Sequence, residues 1–149
     1  MHNNEILGRL VNALALKDEN LPEIFALGGN EMTVDSALAR TRDVDTESAV
    51  SCTSEELGQF LDGLILLKRG PRDTDAPPRA AVKLTNNAIF KKLRIALTLK
   101  EDDVLRILEA GGSPTTRQAL SPLFRKPGNK HFRACSDEVL RSFLDGLAK

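Results

Sequence analysis

The stretch NNEILGRLVNALALK at residues 3–17 returns at residues 86–100 as NNAIFKKLRIALTLK, and this repetition decides the fold. Two further pairs of segments keep the same offset of 83 residues: IFALGG at 24–29 with ILEAGG at 107–112, and CTSEELGQFLDGL at 52–64 with CSDEVLRSFLDGL at 135–147. About 21 of the 62 positions from 3 to 64 match their counterparts, without a gap. Such self-similarity at one fixed offset indicates a tandem duplication.

Each copy is predicted to contain four α-helices. In the first and fourth segments of each copy, apolar residues recur three or four positions apart, which is the spacing of one helix face. A third helix is expected at about 33–42 and 115–125. In the second copy it should be interrupted at Ser121–Pro122, because proline lacks the N–H that a helix interior needs. The predicted fold class is therefore all-α, with about eight helices and the two four-helix modules related by an approximate two-fold axis.

The ends of these helices are predicted from residues that satisfy free backbone groups. Asn3 and Asn86 are interpreted as N-caps of the first helix in each copy. The second helix is expected to start after Asn20 in one copy and after Asp103 in the other. It should end at paired glycines, which tolerate the left-handed conformation that closes a helix. These glycines are Gly28, Gly29, Gly111 and Gly112.

A glycine lies inside the fourth helix of each copy, at Gly63 and Gly146. Glycine there costs about 1 kcal/mol relative to alanine, so we expect a neighbouring backbone to pack where a Cβ would clash. The preceding residues, Asp62 and Asp145, would form a pair of carboxylates if the two modules face each other. No His, Lys or Tyr recurs beside them to complete a catalytic constellation, so packing is the favoured interpretation and no catalytic residue is assigned.

The net charge of zero conceals two unequal halves. Residues 1–70 carry 6 basic and 12 acidic side chains, whereas residues 85–149 carry 12 basic and 7 acidic ones. Residues 71–84 contain three prolines and are predicted to form a linker. We therefore expect an acidic first module at 1–70 and a basic second module at 85–149. Their opposite charges favour attraction between the two modules, or self-association between two molecules.

Cys52 and Cys135 occupy equivalent positions just before the fourth helix of each copy. A cysteine at a helix N-terminus can become a reactive thiolate, because the helix dipole lowers its pKa. The favoured interpretation is a small buried apolar residue, since free cysteine is among the most buried types. Two cysteines and two histidines, His2 and His131, give no recognisable zinc spacing, so neither a metal nor a cofactor is predicted. The N-terminus shows no signal peptide and no long apolar run follows, so we expect a cytoplasmic protein without a membrane span.

The segment RKPGNKHFR at 125–133 concentrates cationic side chains around a Pro-Gly turn. Clustered Lys and Arg neutralise nucleic-acid phosphates, and Arg117 lies near the start of the third predicted helix, which follows a glycine-containing turn as in a helix-turn-helix. Against this, the segment would also serve as a solvated loop that balances the acidic module. Its counterpart at 42–50 reads RDVDTESAV, so a phosphate role would belong to one module only. The candidate contact residues for a phosphate or a partner are Arg117, Arg125, Lys126, Lys130, His131 and Arg133.

The doubled pattern of an Asn-Asn start, a Gly-Gly pair, a Cys followed by Thr or Ser, and an FLDGL end resembles a bacterial family, the YehS-like proteins (domain of unknown function 1456). The resemblance covers nearly the whole chain, including the KLRIAL and FLDGL strings of the second copy. It implies a cytoplasmic bacterial protein with two repeated helical modules. It implies no activity, and it carries no catalytic residue over. The first copy departs from the pattern at Ala49, where the second has Phe132.

Two functions remain open from the residues alone. The leading interpretation is a non-catalytic helical module that acts in regulation or in contact with another protein. The alternative is a nucleic-acid-binding protein that uses its basic second module. An enzyme comes third, because no nucleophile stands with its base.

Overall fold

The computed structural model describes residues 1–70, 84–126 and 128–149, and over these ranges the protein is entirely helical, without a strand. The first module holds four helices: α1 Asn3–Ala13, α2 Asn20–Leu27, α3 Val34–Ala39 and α4 Ser54–Arg69. The second holds α5 Asn86–Ala96, α6 Glu101–Ala110, α7 Arg117–Leu120 with a 3-10 turn at Ser121–Phe124, and α8 Asp137–Leu147. These eight helices confirm the all-α prediction. The predicted linker lies outside the described residues, except for Leu84.

The predicted N-caps of the first helices are wrong. Asn3 and Asn86 are the first helical residues, and the caps are His2, which makes no side-chain bond, and Thr85, whose hydroxyl accepts from the N–H of Ala88. Each asparagine instead donates its side-chain amide outward to a loop carbonyl, 3.1 Å away, of Cys52 or Cys135. An asparagine side chain can both donate and accept hydrogen bonds. Here its N–H group donates to the loop beside the helix.

The second helices begin near the expected positions but not at them. Helix α2 starts at Asn20 itself, and α6 starts at Glu101, two residues before the expected Asp103. Asp103 lies in the first turn, where its carboxylate accepts from the backbone N–H of Lys100 at 2.9 Å. Both helices end at the predicted glycine pairs, because the second glycine of each pair adopts a φ of +93°.

The third helix of each module is shorter than predicted. Helix α3 spans six residues, and α7 stops after Leu120, where the chain tightens into the 3-10 turn. Pro122 lies in the first turn of that segment, where its missing N–H removes no helical bond. The predicted interruption at Ser121–Pro122 is therefore present.

The two modules share one hydrophobic core. Helix α1 of the first module packs on α8 of the second, and the counterpart of α1, helix α5, packs on α4 of the first. An approximate two-fold axis between the modules relates these two contacts. Helix α2 covers α4 within the first module, and α6 covers α8 within the second. The rings of Phe25 and Phe60 lie 5.1 Å apart in one half of the core, and those of Phe90 and Phe143 lie 4.5 Å apart in the other. None of the described helices is long and apolar enough to cross a bilayer.

Candidate functional site

The loop before the last helix of each module is held by an asparagine that the sequence analysis missed. Asn4 is buried, and its side-chain nitrogen donates to the carbonyl oxygens of Arg42 and Val50, both at 2.9 Å. Its side-chain oxygen accepts from the backbone N–H of Cys52 at 2.7 Å. One amide therefore satisfies three buried or half-buried backbone groups and fixes both ends of the loop at residues 42–50, called the acidic loop below.

Asn87 repeats this arrangement in the second module. Its side-chain nitrogen donates to the carbonyls of Leu123 and Arg133, at 3.0 and 2.8 Å, and its oxygen accepts from the N–H of Cys135 at 2.8 Å. These bonds flank the loop at 125–133, called the basic loop below: one lies two residues before it, at Leu123, and the other lies at its last residue, Arg133. The signal in the sequence was the second asparagine of each Asn-Asn doublet, which recurs at the same offset as the first.

The two loops carry opposite charges on equivalent anchors. Three carboxylates of the acidic loop are exposed, those of Asp43, Asp45 and Glu47. The basic loop exposes all five of the cations predicted as contacts: Arg125, Lys126, Lys130, His131 and Arg133. Asn129 shapes its turn, since its side-chain oxygen accepts from the N–H of His131 at 2.8 Å, while Pro127 lies outside the described residues.

Arg117, the sixth predicted contact, differs from the other five because it is already paired. Its guanidinium binds the carboxylate of Asp102 and lies 3.8 Å from that of Glu101. It lines a shallow groove together with Arg125 and His131. The structure thus brings three of the six predicted contacts together, and places Lys126, Lys130 and Arg133 elsewhere on the loop.

The carboxylates of Asp62 and Asp145 join the modules rather than standing alone. Asp62 pairs with Lys92 on the first helix of the second module, and Asp145 pairs with Arg9 on the first helix of the first module. The two cations are separated by the same 83 residues as the two acids, so the approximate two-fold axis relates the pairs. Glu5 adds a longer contact to Arg141, at 3.4 Å. The observed arrangement is an ionic rim around the interface between the modules.

The glycines beside these acids lie where helices meet at backbone distance. A Cβ on Gly63 would lie 2.9 Å from the carbonyl carbon of Ile24 in α2, and closer still to its oxygen. Gly146 faces Ile107 of α6 in the same way, with its carbonyl carbon at 2.8 Å. Alanine would force α2 from α4, or α6 from α8. Side chains larger than hydrogen are therefore excluded at both contacts.

Both cysteines are free thiols buried beneath the start of the last helix in their module. Burial raises the pKa of Cys52 to about 12, and the nearby Glu56 carboxylate raises it further than Arg40 lowers it. Burial likewise raises the pKa of Cys135 to about 11, with Asp137 acting in the same direction. Desolvation acts against the helix dipole at both positions, which favours the protonated thiol over the reactive thiolate at neutral pH.

The described residues do not form a recognisable metal-binding site. Among the described residues, no three side chains of His, Cys, Asp or Glu lie close enough to hold an ion. The chemical property that distinguishes the two loops is their charge. The acidic loop can attract cationic groups, and the basic loop can attract anionic groups.

Comparison with known proteins agrees with the duplicated architecture. A family model described as "Protein of unknown function (DUF1456)" matches residues 3–70 and again residues 86–149. The chain is also 38% identical to the "Uncharacterized protein YehS" of Escherichia coli (strain K12) over 149 residues, which covers 99% of this chain and 95% of that protein. No solved structure matches it. The two matched segments correspond to the two helical modules, and the chain therefore belongs to the DUF1456 family, with two tandem copies of its domain.

Proposed function

We propose that the protein is a non-catalytic interaction module that binds a basic protein partner through its acidic loop. One observation carries the proposal: equivalent asparagines anchor two equivalent loops, one of which exposes carboxylates and the other cations. Because both loop ends are fixed, the loop backbone does not have to become ordered when a partner binds, and this lowers the entropic cost of association.

Further acidic side chains are exposed on the rest of the first module. Nine of its carboxylates are exposed and take no part in any ion pair within the described ranges: Asp18, Glu19, Glu23, Glu31, Asp35, Asp43, Asp45, Glu47 and Glu55. Complementary charge steers association and selects partners more than it adds affinity. The surface therefore fits a partner with a basic face. A second copy of the chain, contributing its basic loop, is one such partner.

The cellular setting forms part of the same proposal. Both cysteines are free thiols, which fits a reducing compartment such as the cytoplasm. The thiols are the strongest candidate nucleophiles of the chain. Both are buried, and burial raises their pKa values, which supports a binding rather than a catalytic role.

The experiment is capture of partners by the immobilised chain, with two loop variants as matched controls. The acidic-loop variant carries Asp43→Asn, Asp45→Asn and Glu47→Gln. The basic-loop variant carries alanine at Arg125, Lys126, Lys130 and Arg133. We expect the wild-type chain and the basic-loop variant to retain the same proteins, and the acidic-loop variant to lose them. Raised salt should release them, because exposed charges are screened beyond about 8 Å at 0.15 M.

A second candidate function rests on the basic loop. Its five exposed cations have the chemistry of a nucleic-acid contact, whose affinity falls steeply with salt as counterions are released. If this function holds, duplex DNA or RNA binds the wild-type chain and the acidic-loop variant but not the basic-loop variant. We expect no such binding at physiological salt, because the acidic module repels a long polyanion. Retention of proteins by the acidic-loop variant, or salt-sensitive nucleic-acid binding lost in the basic-loop variant, would overturn the leading proposal.

A further inference from the structure

A cationic cleft lies in the second module, away from both charged loops. It has a volume of about 360 Å³ and is formed where the end of α4 meets the last turns of α5 and the 3-10 turn. Four of its lining residues are cationic, namely Arg69, Lys91, Arg94 and Lys100, and among the described residues no carboxylate lines it. Its remaining wall is mostly apolar and includes the ring of Phe124. The volume lies in the usual range for sites that bind small molecules.

Phe124 and Arg94 form an ordered wall of the cleft. The Phe124 ring lies perpendicular to the buried ring of Phe90, with centroids 5.0 Å apart and planes at 87°. The guanidinium carbon of Arg94 lies 4.7 Å from the centre of the Phe124 ring, and its Nε donates to the carbonyl of Leu99 at 3.2 Å. Its two terminal nitrogens make no hydrogen bond to any described residue. A guanidinium held in place, with donors that no described residue occupies and an aromatic ring beside it, is a preorganised site for an anion.

The other cations leave their charge open to the cleft. Lys91 is exposed, and its ammonium has no partner among the described residues. Arg69 reaches across from α4 to the end of α5, where it makes long contacts of 3.4 Å to the carbonyl of Ile95 and the hydroxyl of Thr98. Four like charges around one cleft repel each other, and a bound anion relieves that repulsion.

The duplication supplies an internal comparison. The first module forms the same cleft at the same place in the fold, but lines it with neutral residues. The three residues that give the second cleft its ring and half of its charge replace smaller or neutral ones: Lys91 replaces Gly8, Arg94 replaces Val11 and Phe124 replaces Thr41. The first module therefore forms the cleft without the two cations, so their charge is not needed to shape it.

We propose that this cleft binds a small organic phosphate that carries a planar ring, which is the chemistry of a nucleotide. The phosphate meets Lys91 and the free donors of Arg94, since guanidinium binds phosphate oxygens in a bidentate way. The ring stacks in the apolar part of the cleft beside Phe124, because every base offers an aromatic face. Neither half of such a ligand alone matches both parts of the cleft.

Calorimetric titration of the full chain with adenosine 5′-monophosphate, adenosine and inorganic phosphate tests the proposal. We expect the nucleotide to bind with a Kd below about 1 mM, and its two fragments at least about tenfold more weakly. The double variant Lys91→Ala/Arg94→Ala should weaken nucleotide binding by at least about tenfold. The single variant Lys68→Ala, which removes an exposed charge from α4 outside the cleft, should leave it unchanged.

A second variant guards against misfolding. Phe124→Leu keeps an apolar side chain against Phe90 but removes the ring, so the nucleotide should lose its advantage over inorganic phosphate while the phosphate affinity stays constant. Three results would overturn the proposal. They are no heat of binding at millimolar nucleotide, equal binding by the double variant and the wild type, and equal affinity for the nucleotide and for phosphate alone.

Discussion

Replacement of Gly63 by alanine tests one of the close backbone approaches between helices in the molecule. The added Cβ would lie 2.9 Å from the carbonyl carbon of Ile24, whereas carbon–carbon contacts are most favourable at about 3.5–4.0 Å. The oxygen of that carbonyl would lie closer still, so helix α2 would have to withdraw by more than about 1 Å, because backbone atoms cannot rotate away. Overpacking of a core costs about 1–3 kcal/mol, and this site belongs at the upper end. Alanine returns about 1 kcal/mol of helix propensity, so the net loss is about 2 kcal/mol.

Gly58, five residues earlier in α4, is the matched control. A Cβ there would meet nothing within 4 Å, so Gly58→Ala should gain about 1 kcal/mol from helix propensity alone. The two variants should therefore differ by about 3 kcal/mol in the free energy of unfolding, measured by urea denaturation followed by circular dichroism. In thermal unfolding the difference corresponds to roughly 6–12 °C. A Gly63→Ala protein as stable as the wild type, or a Gly58→Ala protein equally destabilised, would refute the reasoning.

Three further predictions concern the anchors and the helix ends. Cys52 and Cys135 should react slowly with thiol reagents at neutral pH, and stability should fall as pH rises from about 9 towards 11 to 12, because burial raises both pKa values and the unfolded thiols ionise first. Asn4→Ala should destabilise the protein to urea by about 3 kcal/mol, since it leaves three backbone groups without their partner; a loss below about 1 kcal/mol would contradict this. Thr98→Gly should stabilise the protein by about 1 kcal/mol and by more than Ala15→Gly, since both residues have φ near +50° and only threonine is β-branched; calorimetric melting that shows no gain would count against it.

Helix content was predictable because its signals are local. Apolar stripes at helical spacing and glycine pairs at helix ends depend on neighbours within a few residues, and the offset of 83 placed each element twice. The N-caps were mispredicted because they depend on a tertiary contact that is not visible in the sequence. Whether the amide of Asn3 accepts from its own helix or donates to Cys52 depends on where a loop 49 residues away lies.

The ion pairs around the module interface were less predictable because they depend on docking between the modules. Asp62 stood out in the sequence without a visible cation, and its partner Lys92 comes from the opposite module. The cysteines illustrate a balance of two effects. The helix dipole could be inferred from sequence, but the burial that raises the pKa of Cys52 arises only from tertiary packing.

The duplication also separates residues that serve the fold from residues that are free to serve function. The residues that both copies share at Asn4, Cys52, Asp62 and Gly63 all take part in anchoring a loop, filling the core or joining helices and modules. Where the copies differ, the corresponding loops carry opposite charges and the two clefts have unlike linings. A binding function that used the shared residues would compete with packing. We therefore expect partner or ligand recognition at the positions that differ, and exchanging the acidic loop for the basic one should change binding while leaving the fold intact.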